Sequence, residues 1–139
     1  MPTLSQREVQ VRPLRGQDRA QIVDLLVQAV PLGPNARSDE PFSVVVEVKC
    51  AWNKGVFKDM ERQLLVRYLR KNQYNFGIYV VAYFTCAGWN RKKDDRKLRG
   101  ASRGTIEQLR ACLDEQASRL STPGIYIESF VLDARIDGV

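Results

Sequence analysis

Residues 42–50 read Phe-Ser-Val-Val-Val-Glu-Val-Lys-Cys, and the fold turns on this stretch. Three consecutive valines are stiff about χ1 and favour a pleated strand. Glu47 and Lys49 interrupt the apolar run two residues apart, so on a strand both side chains point to the same face of a sheet. Charges inside apolar sequence are costly to bury unless paired. Taken alone, Glu-x-Lys also describes an ion pair on an exposed sheet surface, so its surroundings must decide.

Upstream, residues 22–30 (IVDLLVQAV) place Ile22, Leu25, Leu26 and Ala29 on one face at helical spacing, yet four of nine residues are β-branched, which favours a strand. The segment from Pro31 to Pro41 reads as an exposed turn. The two strands therefore form an antiparallel hairpin, and Asp24 can lie beside Glu47. Residues 7–12 (REVQVR) alternate polar and apolar, predicting a short strand with Val9 and Val11 inward, ended by Pro13.

Downstream, residues 56–71 have the clearest helical pattern, with Phe57, Met60, Leu64 and Tyr68 along a buried stripe. Residues 77–84 (GIYVVAYF) are continuously apolar and predict a central strand buried on both faces. Residues 91–103 predict a polar loop, 105–120 a second amphipathic helix and 125–132 a last strand. The order β-β-β-α-β-α-β over residues 1–139 predicts a single α/β domain with a mixed central sheet of about five strands flanked by helices.

The chain of 139 residues carries 22 Lys and Arg against 16 Asp and Glu, a net charge of +6, and no histidine. Ser-His-Asp triads, Cys-His pairs and histidine metal sites are excluded from this chain alone. Residues 91–103 hold seven basic and two acidic residues, most of the surplus. They read either as a phosphate-binding arm, with Arg91, Lys92 and Lys93 at its start, or as a solvated loop. Cys50, Cys86 and Cys112 have no C-x-x-C spacing and read as reduced, buried thiols of a cytoplasmic protein. No apolar run approaches the roughly 18 residues of a membrane span, and the first residues lack a signal-peptide core.

Asp24, Glu47 and Lys49 would put two carboxylates and an ammonium on one patch. Two close carboxylates repel unless a cation lies between them. Mg²⁺, with Mn²⁺ as a substitute, takes one or two carboxylates together with waters and substrate phosphate. The Val48 carbonyl is a further candidate ligand. Lys49 would orient or deprotonate a water and stabilise charge building on phosphorus.

This ordered set resembles the PD-(D/E)xK nuclease superfamily, the restriction-endonuclease-like fold. There an Asp begins the second core strand and Glu-x-Lys ends the third, here Glu47-Val48-Lys49. A helix often carrying a glutamine follows, here Gln63, and then an apolar strand, here GIYVVAYF. The likeness covers about residues 7–132 and is strongest to bacterial members of unassigned role, through Glu47-Val48-Lys49-Cys50-Ala51-Trp52-Asn53. It implies a metal-dependent nuclease acting on nucleic acid, DNA in the first instance. The alternative is an inactive nuclease-fold module that binds nucleic acid or serves as a scaffold.

By the resemblance, Asp24 and Glu47 would hold the metal, with Lys49 and Gln63 around the water. Asp24 is preferred to Asp39 as the first carboxylate. Arg67, one helical turn after Gln63, reads as a phosphate contact or as a solvated flank. Trp52 and Trp89 follow strand ends and read as stacking platforms or loop anchors. The family's opening helix has no counterpart before REVQVR, so the chain is read as part of a longer protein or as a shortened domain. Paired cuts on a duplex would call for a homodimer or a larger multidomain protein.

Overall fold

A computed structural model describes residues 5–7, 10–11, 21–22, 24–29, 42–84 and 95–136. Its strands are β1 (Ser5–Arg7), β2 (Gln10–Val11), β3 (Gln21–Ile22), β4 (Leu25–Ala29), β5 (Phe42–Cys50), β6 (Phe76–Tyr83) and β7 (Tyr126–Asp133). Its helices are α1 (Met60–Arg70), α2 (Arg96–Ala101) and α3 (Ile106–Leu120). Asp39, Trp89, Arg91, Lys92, Lys93 and Cys86 lie outside the described residues, as does most of the segment ahead of β4, where an opening helix would fall.

The sheet order is β1-β4-β5-β6-β7, with β2 and β3 as a separate pair. β1 with β4 and β4 with β5 are antiparallel, whereas β5 with β6 and β6 with β7 are parallel. The result is an open mixed sheet, built from a hairpin followed by two crossovers. Crossovers of one hand that advance in one direction leave their helices on the same face. The shared core joins Val45, Tyr79, Val81, Ile127 and Val131 of the sheet to Leu64 and Leu69 of α1 and Leu109 and Leu113 of α3.

Three expectations change. The single strand expected over 7–12 is two short strands, because the chain switches partner from β4 to β3 between Arg7 and Gln10. The polar loop expected over 91–103 contains α2, since Arg, Lys, Leu and Ala are good helix formers whatever their charge. β6 is fully buried on one face only, at Gly77, Tyr79 and Val81, with its alternate residues half-buried. Among the described residues α1 and α3 both cover the first face.

α1 is wound with π-type, i→i+5 closure, a wider turn than the α-helix. Its buried residues Met60, Leu64, Leu65, Tyr68 and Leu69 form one stripe at steps of three and four. Gly77 lets α1 approach β6, because a methyl there would lie 3.0 Å from side-chain carbons of Leu64 and Leu69. α3 opens on a capping box in which Thr105 and Gln108 satisfy each other's backbone N–H. Gly104, at φ +83°, makes the preceding turn in a conformation that other residues rarely adopt. No described helix is long and apolar enough to cross a membrane.

Candidate active site

The last pair of the β4–β5 hairpin is Leu25 with Val46, so Asp24 falls opposite Glu47. Asp24 Oδ2 accepts a hydrogen bond from the Val48 N–H at 2.7 Å. A strand residue turns its N–H and its carbonyl to the same neighbour, so the Val48 carbonyl faces the Asp24 edge of β5. The Val48 side chain points away and is exposed.

Glu47 and Lys49 occupy the helix-covered face, where α1 begins. Glu47 is 2% exposed. Its Oε1 stands 2.8 Å from Lys49 Nζ, while its buried Oε2 has no hydrogen-bond partner. Lys49 also donates to Gln63 Oε1 at 2.9 Å, and its Nζ lies 3.5 Å from Asp59 Oδ2. Asp24, Glu47, Lys49 and Gln63, read from sequence as one site, do come together.

The electrostatics follow from three carboxylates around one ammonium. Burial pushes the Glu47 carboxyl up; Asp24 and Asp59 add to this, and Lys49 opposes it. Burial alone would lower the Lys49 pKa, but Glu47, Asp59 and Asp24 outweigh it and the net shift is upward. Lys49 is thus held as an ammonium. With no metal bound, this environment suits the charged form, which can orient a water and offset negative charge.

Two site residues escaped the sequence reading. Asp59 was absorbed into the expected helix, yet it sits beside Lys49. Its carboxylate lies across Gly55, where a methyl would overlap it. Tyr79, paired in register with Glu47, is fully buried and donates to the Val56 carbonyl at 2.8 Å. Burial, with Asp59 and Glu47 nearby, drives its pKa far upward, so it remains a neutral donor. For Tyr79 the only signal was a hydroxyl in an apolar strand, and Asp59, among charged neighbours ahead of a helix, carried none.

Arg67 is exposed beside the Tyr68 hydroxyl, outside the immediate contacts of Lys49. Trp52 is half-buried, edge-on to Phe84 at 6.0 Å with the Arg96 guanidinium 5.9 Å from its ring. That geometry is loop anchoring. Cys50 is half-buried, while Cys112 is exposed on the flank of α3 rather than buried.

Among the described residues, no group of three or more His, Cys, Asp and Glu is gathered as a metal cage. Two carboxylates and a carbonyl are nevertheless a donor set that Mg²⁺ accepts while keeping waters. The partnerless, buried Glu47 Oε2 fits such a ligand.

The fold and site thus describe an α/β domain with an acid–lysine cluster at the carboxyl end of a central strand. A family model described as a domain of unknown function, DUF8371, matches residues 35–86. The match spans β5, α1 and β6, and so includes Glu47, Lys49, Asp59 and Gln63 but not Asp24. No curated protein and no solved structure matches the chain.

Proposed function

We propose that this protein is a Mg²⁺-dependent nuclease that hydrolyses phosphodiester bonds, with DNA as the first substrate to test. The observation that carries the reading is the orphaned Oε2 of Glu47, buried amid an excess of two negative charges over Lys49. A buried carboxylate oxygen without a partner is destabilising unless something positive meets it.

Asp24, Glu47 and the Val48 carbonyl would hold the ion. Bound there, Mg²⁺ supplies Lewis-acid polarisation and a more acidic water. Lys49, kept cationic by its neighbours, offsets charge building on the phosphate oxygens. Gln63 fixes the ammonium by accepting a hydrogen bond from it. The PD-(D/E)xK likeness supports the same assignment.

The test combines Mn²⁺ titration by calorimetry with plasmid cleavage in Mg²⁺. The wild type is expected to bind and cleave, Asp24→Asn to lose binding, and Lys49→Ala to lose about 10²–10³-fold in rate while remaining folded. Undiminished cleavage by folded Lys49→Ala refutes the mechanism. A wild type that binds nucleic acid but no metal is instead the non-catalytic module.

A further inference from the structure

Resting on the nuclease reading, we propose that Arg103, with Arg99, is a positioning residue of the active site. The pair clamps the turn that joins β5 to α1. Ala51, Trp52 and Asn53 follow Lys49 closely, and each carbonyl accepts from an arginine about fifty residues later. Arg103 donates from Nε to the Ala51 carbonyl at 3.1 Å and from Nη2 to the Asn53 carbonyl at 3.0 Å. Arg99 Nε donates to the Trp52 carbonyl at 3.0 Å. The Arg103 guanidinium also covers the Phe57 ring, 5.0 Å from its centroid.

A guanidinium that holds two carbonyls fixes the turn in position and in rotation, whereas an ammonium is a single point donor. Contacts then run unbroken to the site. The Asn53 carbonyl accepts from the Val56 N–H at 3.2 Å, and Asn53 Oδ1 from the Gly55 N–H at 2.8 Å. The Gly55 carbonyl accepts from the Asp59 N–H at 2.8 Å, and Asp59 reaches Lys49. Every link is a hydrogen bond or ion pair between named atoms, the contiguity that coupling across a structure requires.

By charge alone the segment containing Arg99 and Arg103 reads as a phosphate arm. The two roles leave different kinetic signatures. Loss of a phosphate contact weakens nucleic-acid binding and flattens its salt dependence. Loss of a positioning residue lowers kcat and leaves KM and the salt slope in place.

The test uses the full chain with Arg103→Ala and Arg103→Lys, and Lys97→Ala as a control on the exposed side of α2. Amide exchange at Val56, Lys58 and Asp59 is measured by NMR, and plasmid cleavage is followed over a range of salt. Both Arg103 variants should exchange about tenfold faster or more at those amides, with kcat reduced about tenfold or more. KM and the salt slope should stay at wild-type values. Arg103→Lys keeps the charge and guards against a variant that fails to fold; it should not restore the turn. Lys97→Ala should leave the three amides unchanged.

Wild-type exchange in Arg103→Lys overturns the clamp. So does a raised KM and a shallower salt slope at unchanged kcat. If the wild type cleaves no nucleic acid, the nuclease reading fails separately, and exchange alone decides the clamp.

Discussion

Replacing Glu47 with glutamine should stabilise the metal-free protein and, on the nuclease reading, abolish the proposed Mg²⁺ binding. Glu47 is 2% exposed, bonds Lys49 through one oxygen and leaves the other buried without a partner. An unsatisfied buried polar atom costs about 1–3 kcal/mol, more when charged. The Glu47→Gln side chain would still offer Lys49 an amide oxygen, with Gln63 as a second acceptor. It would put a neutral NH₂ in place of the buried charge beside Asp24 and Asp59, so the gain is the charged group's extra cost alone. Replacing the ion pair with an ammonium–amide hydrogen bond loses about 1 kcal/mol. The balance favours the variant by about 1 kcal/mol at pH 7.

The pH dependence fixes the sign. Burial raises the folded-state pKa of Glu47 above its ordinary 4.5. Between those two values the native state binds more protons than the unfolded chain, so wild-type stability falls as pH rises through the window. Below pH 4.5 the carboxyl is neutral in both states and the variant's advantage should vanish. Urea unfolding with EDTA at several pH values measures this, at constant m. With Mg²⁺ at about a hundred times its Kd the wild type gains about 2.7 kcal/mol that the variant cannot, and the order reverses. A variant less stable than wild type at pH 7 without metal would refute the reasoning, as would a difference that ignores pH.

Gly55→Ala should turn the Asp59 carboxylate away from Lys49, because the new methyl meets the mobile end of that side chain. Cleavage is expected to fall while the urea midpoint moves little. Tyr79→Phe removes the donor to the buried Val56 carbonyl and should cost about 1–3 kcal/mol in urea unfolding. Thr105→Ala breaks the capping box of α3 and should cost about 1 kcal/mol without effect on metal affinity, since Thr105 and Gln108 bond only each other's backbone there.

The elements that determine this fold were those with one dominant local signal. The valines of β5 and the β-branched residues beside Asp24 specify strands by their own stiffness, and the Pro-rich segment between them leaves a hairpin as the simplest pairing. That register alone brings Asp24 to Glu47. Asp59 carried no such signal: an acid ahead of an amphipathic helix is ordinary, since it complements the helix dipole. Its approach to Lys49 depends on the bare backbone of Gly55 and on tertiary contacts to the turn. Tyr79 was hidden because an aromatic in an apolar strand is ordinary core, and only the register of β5 against β6 reveals what its hydroxyl meets. In the basic segment, charge alone hid what two of the arginines hold. Arg99 pairs with Asp95 as well as the Trp52 carbonyl, and Arg103 with two further carbonyls, so these two arginines serve the chain's own backbone.

Lys49 is where these observations meet. A lysine that acts as a base needs a depressed pKa, obtained by burial among apolar or cationic neighbours. Lys49 is only partly buried, and its acceptors are Glu47, Gln63 and the nearby Asp59. Each favours the ammonium. Removing Asp59 lowers the lysine's preference for its charge and eases the upward push on Glu47 while both proposed ligands stay in place, whereas removing Glu47 would strike the proposed ion site and the lysine together. The cluster therefore separates two tasks along β5. On the proposed nuclease reading, its outer edge, with Asp24 and the Val48 carbonyl, would take the hard cation, and the ammonium on its inner face would meet the phosphate. Glu47 would belong to both, with Oε1 on Lys49 and the unpartnered Oε2 left for the ion.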